Sequence, residues 1–158
     1  MSKLSAGIIA FRKNELGVLE ILLVHPGGPF YKKKDEGSWS IPKGEYSEGE
    51  DPLLAACREF TEETGNVLGE KDFITLKPIK IKSGKVISAW AVEADFNAPY
   101  VTSNLFEMEW PPKSGKKQFF PEADKAEWFS LTEAKFRINE GQLALIRQLE
   151  EVFAGIKR

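Results

Sequence analysis

The stretch from Gly44 to Asn66, GEYSEGEDPLLAACREFTEETGN, decides the fold expected for this chain of 158 residues. Asp51 and Pro52 combine a favourable helix N-cap with a proline at the first helical position. Gly65 is the residue type that most often ends a helix. We therefore predict a helix that begins at Asp51-Pro52 and ends at Gly65.

One side of this predicted helix is acidic. At about 100° per residue, Glu62 and Glu63 lie roughly 60° to one side and 40° to the other side of Glu59. The residues on the opposite side predict a buried face: Leu53, Leu54, Cys57, Phe60, Thr61 and Thr64.

The acidic stripe has a cost, because like charges three or four residues apart destabilise a helix by about 0.2–0.5 kcal/mol per pair. No lysine stands within the helix to relieve the repulsion. Either the stripe is a solvated face that aids solubility, or it is the seat of a cation. For three glutamates considered alone, the solvated face is the simpler explanation, so the neighbouring residues must decide.

The composition limits the function classes. A chain of 158 residues with 42% hydrophobic content fits one domain, 1–158, with its own core. The net charge of −2 argues against duplex nucleic acid as the main partner. The single cysteine excludes an internal disulfide and fits a reducing compartment. With no signal peptide and no apolar run of about 18 residues, we predict a cytoplasmic protein without a membrane partner, either a monomer or a homodimer.

A single histidine, His25, narrows the chemistry further. A His-rich zinc site cannot be assembled, and a Ser–His–Asp triad would have to use this one residue. His25 ends the apolar run LEILLVH, where we predict a structural role at the edge of a loop. Any metal must then be held mainly by oxygen, which favours Mg²⁺ or Mn²⁺.

Several apolar, β-branched runs predict strands on both sides of the central helix. The segment Asn97–Phe120 has little periodicity, so we predict a long loop that is functional or disordered. Thr132 and Asn139 are predicted N-caps, the latter in a capping box with Gln142, before a C-terminal amphipathic helix. The predicted strands are LSAGIIAFR, LEILLVH, a short WSIP stopped by Pro42, FITLKPIKIK and KVISAWAVEADF joined by a hairpin at Ser83-Gly84, and AEWFSL.

The opening stretch resembles the Nudix box, G-x5-E-x7-R-E-U-x-E-E-x-G-U, in which U is a bulky apolar residue. Asn66 departs from the second U, and its neighbour Val67 is the expected substitute. The resemblance implies an α/β fold, the Nudix-type α/β/α sandwich with a mixed β-sheet between helices. The fixed positions are matched by Gly44, Glu50, Arg58, Glu59, Glu62, Glu63 and Gly65, with Phe60 at the first U.

The resemblance also implies a hydrolase that cleaves nucleoside diphosphates linked to another group. An acidic helix can attract a pyrophosphate only through divalent cations, which agrees with the cation seat. By resemblance, the metal ligands are Glu59, Glu62, Glu63 and the backbone carbonyl of Lys43. Arg58 and Glu50 resemble the pair that braces the loop against the helix, and Gly44 is expected to allow a tight turn.

Two residues compete for the role of general base. Some members of the family use a glutamate of the box, which is Glu59 here. Others use a glutamate on a later loop, and FFPEADKAEWFSL offers Glu122 at a spacing that resembles the diadenosine tetraphosphate hydrolases of the family.

The substrate is less constrained than the reaction. WSIPKGEYSEGED resembles a segment of dinucleoside polyphosphate hydrolases, which favours a dinucleoside polyphosphate or a (d)NTP. A nucleotide sugar, a capped RNA end and a non-catalytic nucleotide sensor remain alternatives. The predicted substrate contacts are the lysines Lys32, Lys33, Lys34 and Lys43 for phosphates, and the aromatic residues Phe30, Tyr31, Trp110 and Phe119 for a base.

Overall fold

The apolar runs at the N-terminus form the centre of a mixed sheet in the computed structural model, which describes residues 3–32, 34–69, 71–95 and 105–156. Three α-helices accompany nine strands within these ranges. The strands are β1 (Leu4–Lys13), β2 (Leu19–Pro26), β3 (Lys43–Glu45), β4 (Ile74–Thr75), β5 (Ile79–Lys80), β6 (Val86–Glu93), β7 (Leu105–Glu109), β8 (Lys117–Pro121) and β9 (Ala123–Ser130). The helices are α1 (Pro52–Thr64), α2 (Leu131–Arg137) and α3 (Leu143–Ile156), with a 3-10 turn at Glu140–Gln142 before α3.

The two central strands separate at one end, and this separation creates the opening for the site. β1 pairs in parallel with β6, and on its other edge it pairs antiparallel with both β2 and β3. The chain between Trp39 and Glu45 fills the gap: the Val24 N–H donates to the Ser40 carbonyl at 2.8 Å, and the Ile8 N–H donates to the Pro42 carbonyl at 3.1 Å.

Helices cover both faces of this sheet. In β1 and β2 successive side chains alternate between faces, and both faces are apolar, which is the pattern of a sheet buried on both sides. One face of β1 carries Ile9 in a core with α2 and α3, and the other face carries Ile8 in a core with α1. The predicted α/β sandwich with a mixed sheet is confirmed.

Helix α1 has the predicted ends but not the predicted orientation. The Asp51 carboxylate accepts a hydrogen bond from the Leu54 N–H at 3.0 Å, and Gly65 is left-handed at φ 75°. Leu54, predicted to be buried, is 69% exposed, because the buried sector is centred on Ala56, Phe60 and the acidic side of the helix. The prediction that Val67 replaces the second apolar residue of the box is also wrong, because Val67 is 82% exposed, whereas the next residue, Leu68, is buried.

Two predicted strands are broken in the structure. WSIP forms only isolated bridges, and the strand in this region is β3, which begins directly after Pro42. FITLKPIKIK forms the two short strands β4 and β5, which both pair with β6, because Pro78 between them has no N–H to continue the ladder. The Ser83-Gly84 hairpin is confirmed: the Gly84 N–H donates to Ile81 and φ of Gly84 is +92°.

The segment Asn97–Phe120 contains more order than the sequence predicted. Residues 96–104 lie outside the described residues, but Leu105–Pro121 forms the antiparallel hairpin β7–β8. Phe106 and Phe120 are opposite each other on one face of this hairpin. The alternation of apolar and polar residues that is typical of a strand is masked in the sequence, because the exposed face of the hairpin also carries apolar residues, such as Leu105 at 62% exposure.

Of the two predicted N-caps near the C-terminus, Asn139 occupies an N-cap position and Thr132 does not. Ser130, and not Thr132, caps α2 by accepting from the Glu133 N–H at 3.2 Å. Asn139 does precede a 3-10 turn, but its side chain makes no capping hydrogen bond. The Gln142 side chain is drawn away to the sheet, where its Oε1 accepts from the Ile41 N–H at 3.0 Å.

Within the described ranges, no helix is both long enough and apolar enough to cross a membrane.

Candidate active site

The acidic side of α1 rests directly on strand β3. A Cβ atom built on Gly44 would lie 2.1 Å from the Cδ atom of Glu59, so any larger residue would displace that carboxylate. Gly44 lies within the strand and not in a tight turn, which corrects the prediction. The glycine is required because two elements approach closely, a use of glycine that its missing side chain allows.

The acidic stripe is largely buried, contrary to the picture of a solvated face. Glu59 and Glu63 are each 8% exposed, and Glu62 is half-buried at the rim. Burial raises the pKa of Glu59, and the nearby charge of Glu62 adds to the effect. Burying a carboxylate costs folding free energy unless it is paired or bound to a cation. Glu59 and Glu63 are therefore expected to need such a partner.

Arg58 joins the carboxylates of the loop and the helix. Its guanidinium donates to Glu50 Oε2 at 3.0 Å, to Glu59 Oε1 at 3.0 Å and to Glu62 Oε1 at 3.5 Å. Arg58 and Glu50 therefore form the ion pair that the resemblance implies, and their bracing role stays a prediction. The same guanidinium fixes the direction of Glu59, because a planar fork of donors holds several acceptors in defined positions.

We expect Arg58→Lys to lower kcat about tenfold, since a lysine ammonium is a single point charge and cannot hold all three carboxylates in place. The matched control is Arg12→Lys, because Arg12 also bridges two carboxylates, Glu20 at 3.0 Å and Asp95 at 2.8 Å, away from this site. Steady-state kinetics on both variants test the assignment, and equal losses of activity would contradict it.

Glu63 has the most unusual surroundings of the three glutamates. The Lys43 backbone N–H donates to its carboxylate, yet its Oε2 atom is buried without a hydrogen-bond partner. Burial and the neighbouring charge of Glu59 raise the pKa of Glu63 to about 8, against the opposing effect of the Lys43 ammonium. A buried, unpartnered carboxylate oxygen is expected where a bound ion completes the structure.

A cavity of about 430 Å³ opens beside this carboxylate. It brings together four predicted site residues: Glu63, Lys43, Glu122 and Tyr31. Polar groups form much of the remaining wall, and apolar side chains come from the sheet and the β5–β6 hairpin. The other lining residues are Val24, Pro26, Gly37, Ser38, Ser40, Ile81, Asn139 and Gln142.

Glu122 lines the same cavity and lies close enough to the box glutamates for their charges to interact. It follows the β7–β8 hairpin, and the Gly27 N–H donates to its backbone carbonyl at 3.0 Å. Its pKa is raised by burial and by the charge of Glu62. The structure thus places both candidates for the general base, Glu59 and Glu122, at the same site.

The other predicted substrate contacts are less well placed. Lys32 and Lys34 do not line the cavity; the Lys34 ammonium lies 5.6 Å from the centre of the Tyr31 ring. Lys33 lies outside the described residues. Phe30 meets Trp110 edge-on, with 5.3 Å between ring centres, next to Tyr31 in the chain.

Sequence reasoning missed the polar wall formed by Ser38, Ser40, Asn139 and Gln142. The sequence predicts Asn139 and Gln142 only as helix-capping residues. Asn139 Nδ2 instead donates to the Trp39 carbonyl at 3.2 Å, and Gln142 bonds to Ser40 and Ile41. Their long-range partners carry no signal in the local sequence.

The donor set suits a hard divalent cation. Among the described residues, no three His, Cys, Asp or Glu side chains already converge as a ready ligand set. However, Glu63 Oε2 needs a partner, and carboxylate oxygens are the ligands that Mg²⁺ and Mn²⁺ prefer. Glu59, Glu62, Glu63 and the Lys43 carbonyl are the groups that such an ion would use.

A family model for the NUDIX domain matches residues 1–149 of the chain. The chain belongs to the Nudix family. This membership agrees with the resemblance to the Nudix box in the sequence.

Solved structures agree with this assignment at the level of the fold. A C. elegans Ap4A hydrolase in a binary complex matches with a TM-score of 0.66 and 21% identity, over 96% of this chain and 98% of that one. The NUDIX domain of Shewanella oneidensis NrtR, complexed with ADP ribose, matches with a TM-score of 0.67 and 18% identity, over 97% of this chain and 89% of that one.

One curated relative matches over a short stretch. An RNA pyrophosphohydrolase from Rhizobium meliloti (strain 1021) is 67% identical over 27 residues, which is 17% of this chain and 16% of that protein. The match covers a small part of either protein.

Proposed function

We propose that this Nudix protein is a divalent-metal-dependent pyrophosphohydrolase that cleaves a diphosphate bond in a dinucleoside polyphosphate or a (d)NTP. The observation that carries the proposal is the buried, unpartnered Oε2 atom of Glu63 at the wall of a cavity of about 430 Å³. That volume lies within the range of small-molecule sites, about 300–1,000 Å³.

A bound divalent cation would neutralise charge on the phosphate oxygens and lower the pKa of water. Glu59, Glu62 and Glu63 would hold this cation, while Arg58 keeps Glu59 in place. Lys43 offers its ammonium, at the cavity wall, to a phosphate oxygen of the substrate.

Glu122 is the better placed of the two candidate bases. Glu122 is an exposed residue that lines the cavity, whereas Glu59 is buried and already bound to Arg58. We propose that Glu122 takes the proton from the attacking water, since a general base must be free to reach it. Tyr31 at the cavity wall offers an aromatic face to a nucleobase.

A second substrate, the 5′ end of an RNA, is favoured by the short match to an RNA pyrophosphohydrolase.

Product release from a panel of pure compounds tests the proposal. The panel contains dinucleoside polyphosphates, (d)NTPs, nucleotide sugars and 5′-triphosphorylated RNA, each with Mg²⁺, with Mn²⁺ and with a chelator. We expect turnover of at least one of the first two classes with metal and its loss with chelator. Equal turnover in chelator would refute metal dependence, and no turnover of any compound would favour a nucleotide-sensing module.

A further inference from the structure

His25 is 1% exposed and uses both of its ring nitrogens. Its Nδ1 lies 2.8 Å from Asp124 Oδ1, and its Nε2 lies 2.6 Å from the Lys34 carbonyl oxygen. Trp39 packs edge-on against the ring, with 5.2 Å between ring centres. The chain has no other histidine, so no second imidazole can take over this bridge.

The two partners define the chemistry of the bridge. A carbonyl oxygen can only accept, so Nε2 carries a hydrogen and donates to Lys34. The opposite nitrogen, Nδ1, lies within hydrogen-bond distance of the Asp124 carboxylate. A rigid ring with polar atoms on opposite sides connects two segments that a flexible side chain would hold less firmly.

Each of those two segments contributes residues to the lining of the cavity. Lys34 belongs to the loop that also carries Tyr31, Gly37 and Ser38. Asp124 lies two residues after Glu122, which also lines the cavity. His25 itself stands at the end of β2, between Val24 and Pro26, which both line the cavity.

The pairing of β2 with β9 is irregular at this point. His25 is opposite Lys125 and Pro26 is opposite Ala123, so Asp124 is an extra, bulged residue on β9. A β-bulge changes the direction of neighbouring side chains and is common next to active sites. The side chain of this bulged residue is the one that contacts His25 Nδ1, two residues after Glu122.

We propose that His25 is a positioning residue that, through the bulged Asp124, fixes the entry of Glu122 into the cavity. Through the Lys34 carbonyl it also fixes the loop that carries Tyr31. The proposal rests on the proposed function, because the work of Glu122 is part of that function.

A purely structural role for His25 would predict a different pattern of effects. Loss of the bridge would then lower stability, and any loss of activity would follow the unfolded fraction. A positioning role predicts a lower kcat in fully folded protein with a smaller change in KM. It also predicts that the loss depends on the presence of Glu122.

The test uses Asp124→Ala, Asp124→Asn and Glu122→Gln in a double-mutant cycle on the full chain with the substrate identified by the panel. We expect Asp124→Ala to lower kcat about tenfold, because the bulge loses its hydrogen bond. Asp124→Asn, whose amide can still bond to Nδ1, should recover most of that loss. Combined with Glu122→Gln, the alanine variant should add less than a twofold further loss.

The control is Asp95→Ala, which removes an exposed aspartate paired with Arg12 away from the cavity. His25→Asn is added to the series to test the ring directly. If His25→Asn fails to fold, Asp124→Ala still tests the proposal. Thermal melts show that each compared protein is folded at the assay temperature.

Two results would overturn the inference. If Glu122→Gln impairs the enzyme but Asp124→Ala gives a full, independent loss in that background, His25 does not act through Glu122, and the proposed function stands. If Glu122→Gln leaves kcat unchanged, the assignment of Glu122 as the base fails first and the positioning role fails with it.

Discussion

Glu63→Gln should lower kcat by about 10²–10³-fold, because it removes a charged ligand from the cation seat and metal ions supply several kcal/mol of transition-state stabilisation. The same substitution should stabilise the metal-free protein. Glu63 is 8% exposed, and its Oε2 atom has no hydrogen-bond partner. Glutamine fills the same space without the buried charge.

The gain in stability should depend on pH. The pKa of Glu63 is raised from 4.5 to about 8 in the folded protein, so between these values the folded state holds a proton that the unfolded state has lost. Stability from this group is present at low pH and is lost as pH rises through about 8. The melting temperature of Glu63→Gln should therefore exceed that of the wild type by a margin that widens from pH 5 to pH 8.

Melting curves in chelator and steady-state kinetics in Mg²⁺ measure the two effects. Glu127→Gln is the matched control, since Glu127 is an exposed glutamate on β9. It should change neither property. Wild-type activity in Glu63→Gln would exclude this residue from the cation seat, and an equal fall in melting temperature at all pH values would contradict its buried charge.

The sequence predicted what local chemistry determines. Asp51 and Gly65 mark the ends of α1 because capping depends on residues within one helical turn. The spacing of the box residues also placed Arg58 beside Glu50. These features need no knowledge of the rest of the fold.

The direction in which α1 faces could not be predicted in this way. Counting apolar residues placed Leu54 inside and the glutamates outside, whereas Leu54 is exposed and Glu59 and Glu63 are buried. The deciding contact is between Glu59 and Gly44, which belong to different elements. Hydrophobic periodicity assumes that polar residues face water, and an active site is where that assumption fails.

The predictions for the β7–β8 segment, Asn139 and Gln142 failed for a related reason. The structure there depends on contacts between residues far apart in the sequence. Gly27 would meet the Pro121 carbonyl at 1.9 Å if it carried a Cβ, so the hairpin depends on a glycine about a hundred residues before it. Gln142 satisfies the Ile41 N–H across a similar separation. Such contacts form only when the sheet brings distant segments together.

Gly44→Ala tests the contact that organises the candidate site. The added Cβ would lie 2.1 Å from Cδ and 2.2 Å from Oε2 of Glu59, well inside van der Waals contact. Glu59 cannot move without loss, because Arg58 holds its Oε1 at 3.0 Å and the residue is buried. We expect destabilisation of about 1–3 kcal/mol from overpacking. We also expect kcat to fall about 10²-fold, since a displacement of ~1 Å in a catalytic group can cost that much.

Gly17→Ala separates the displaced carboxylate from a general intolerance of glycine replacement. Gly17 has φ +77° and no atom within 4 Å of a built Cβ, so alanine there should cost about 1–2 kcal/mol in backbone strain and leave kcat unchanged. Thermal melts measure the stability of both variants, and steady-state kinetics measure their kcat. If Gly44→Ala keeps wild-type kcat, Glu59 can relocate freely, and the tight packing of α1 on β3 is not what orders the acidic group. If both variants lose stability but only Gly44→Ala loses activity, the close approach of Gly44 and Glu59 is the feature that sets the geometry of the cation seat.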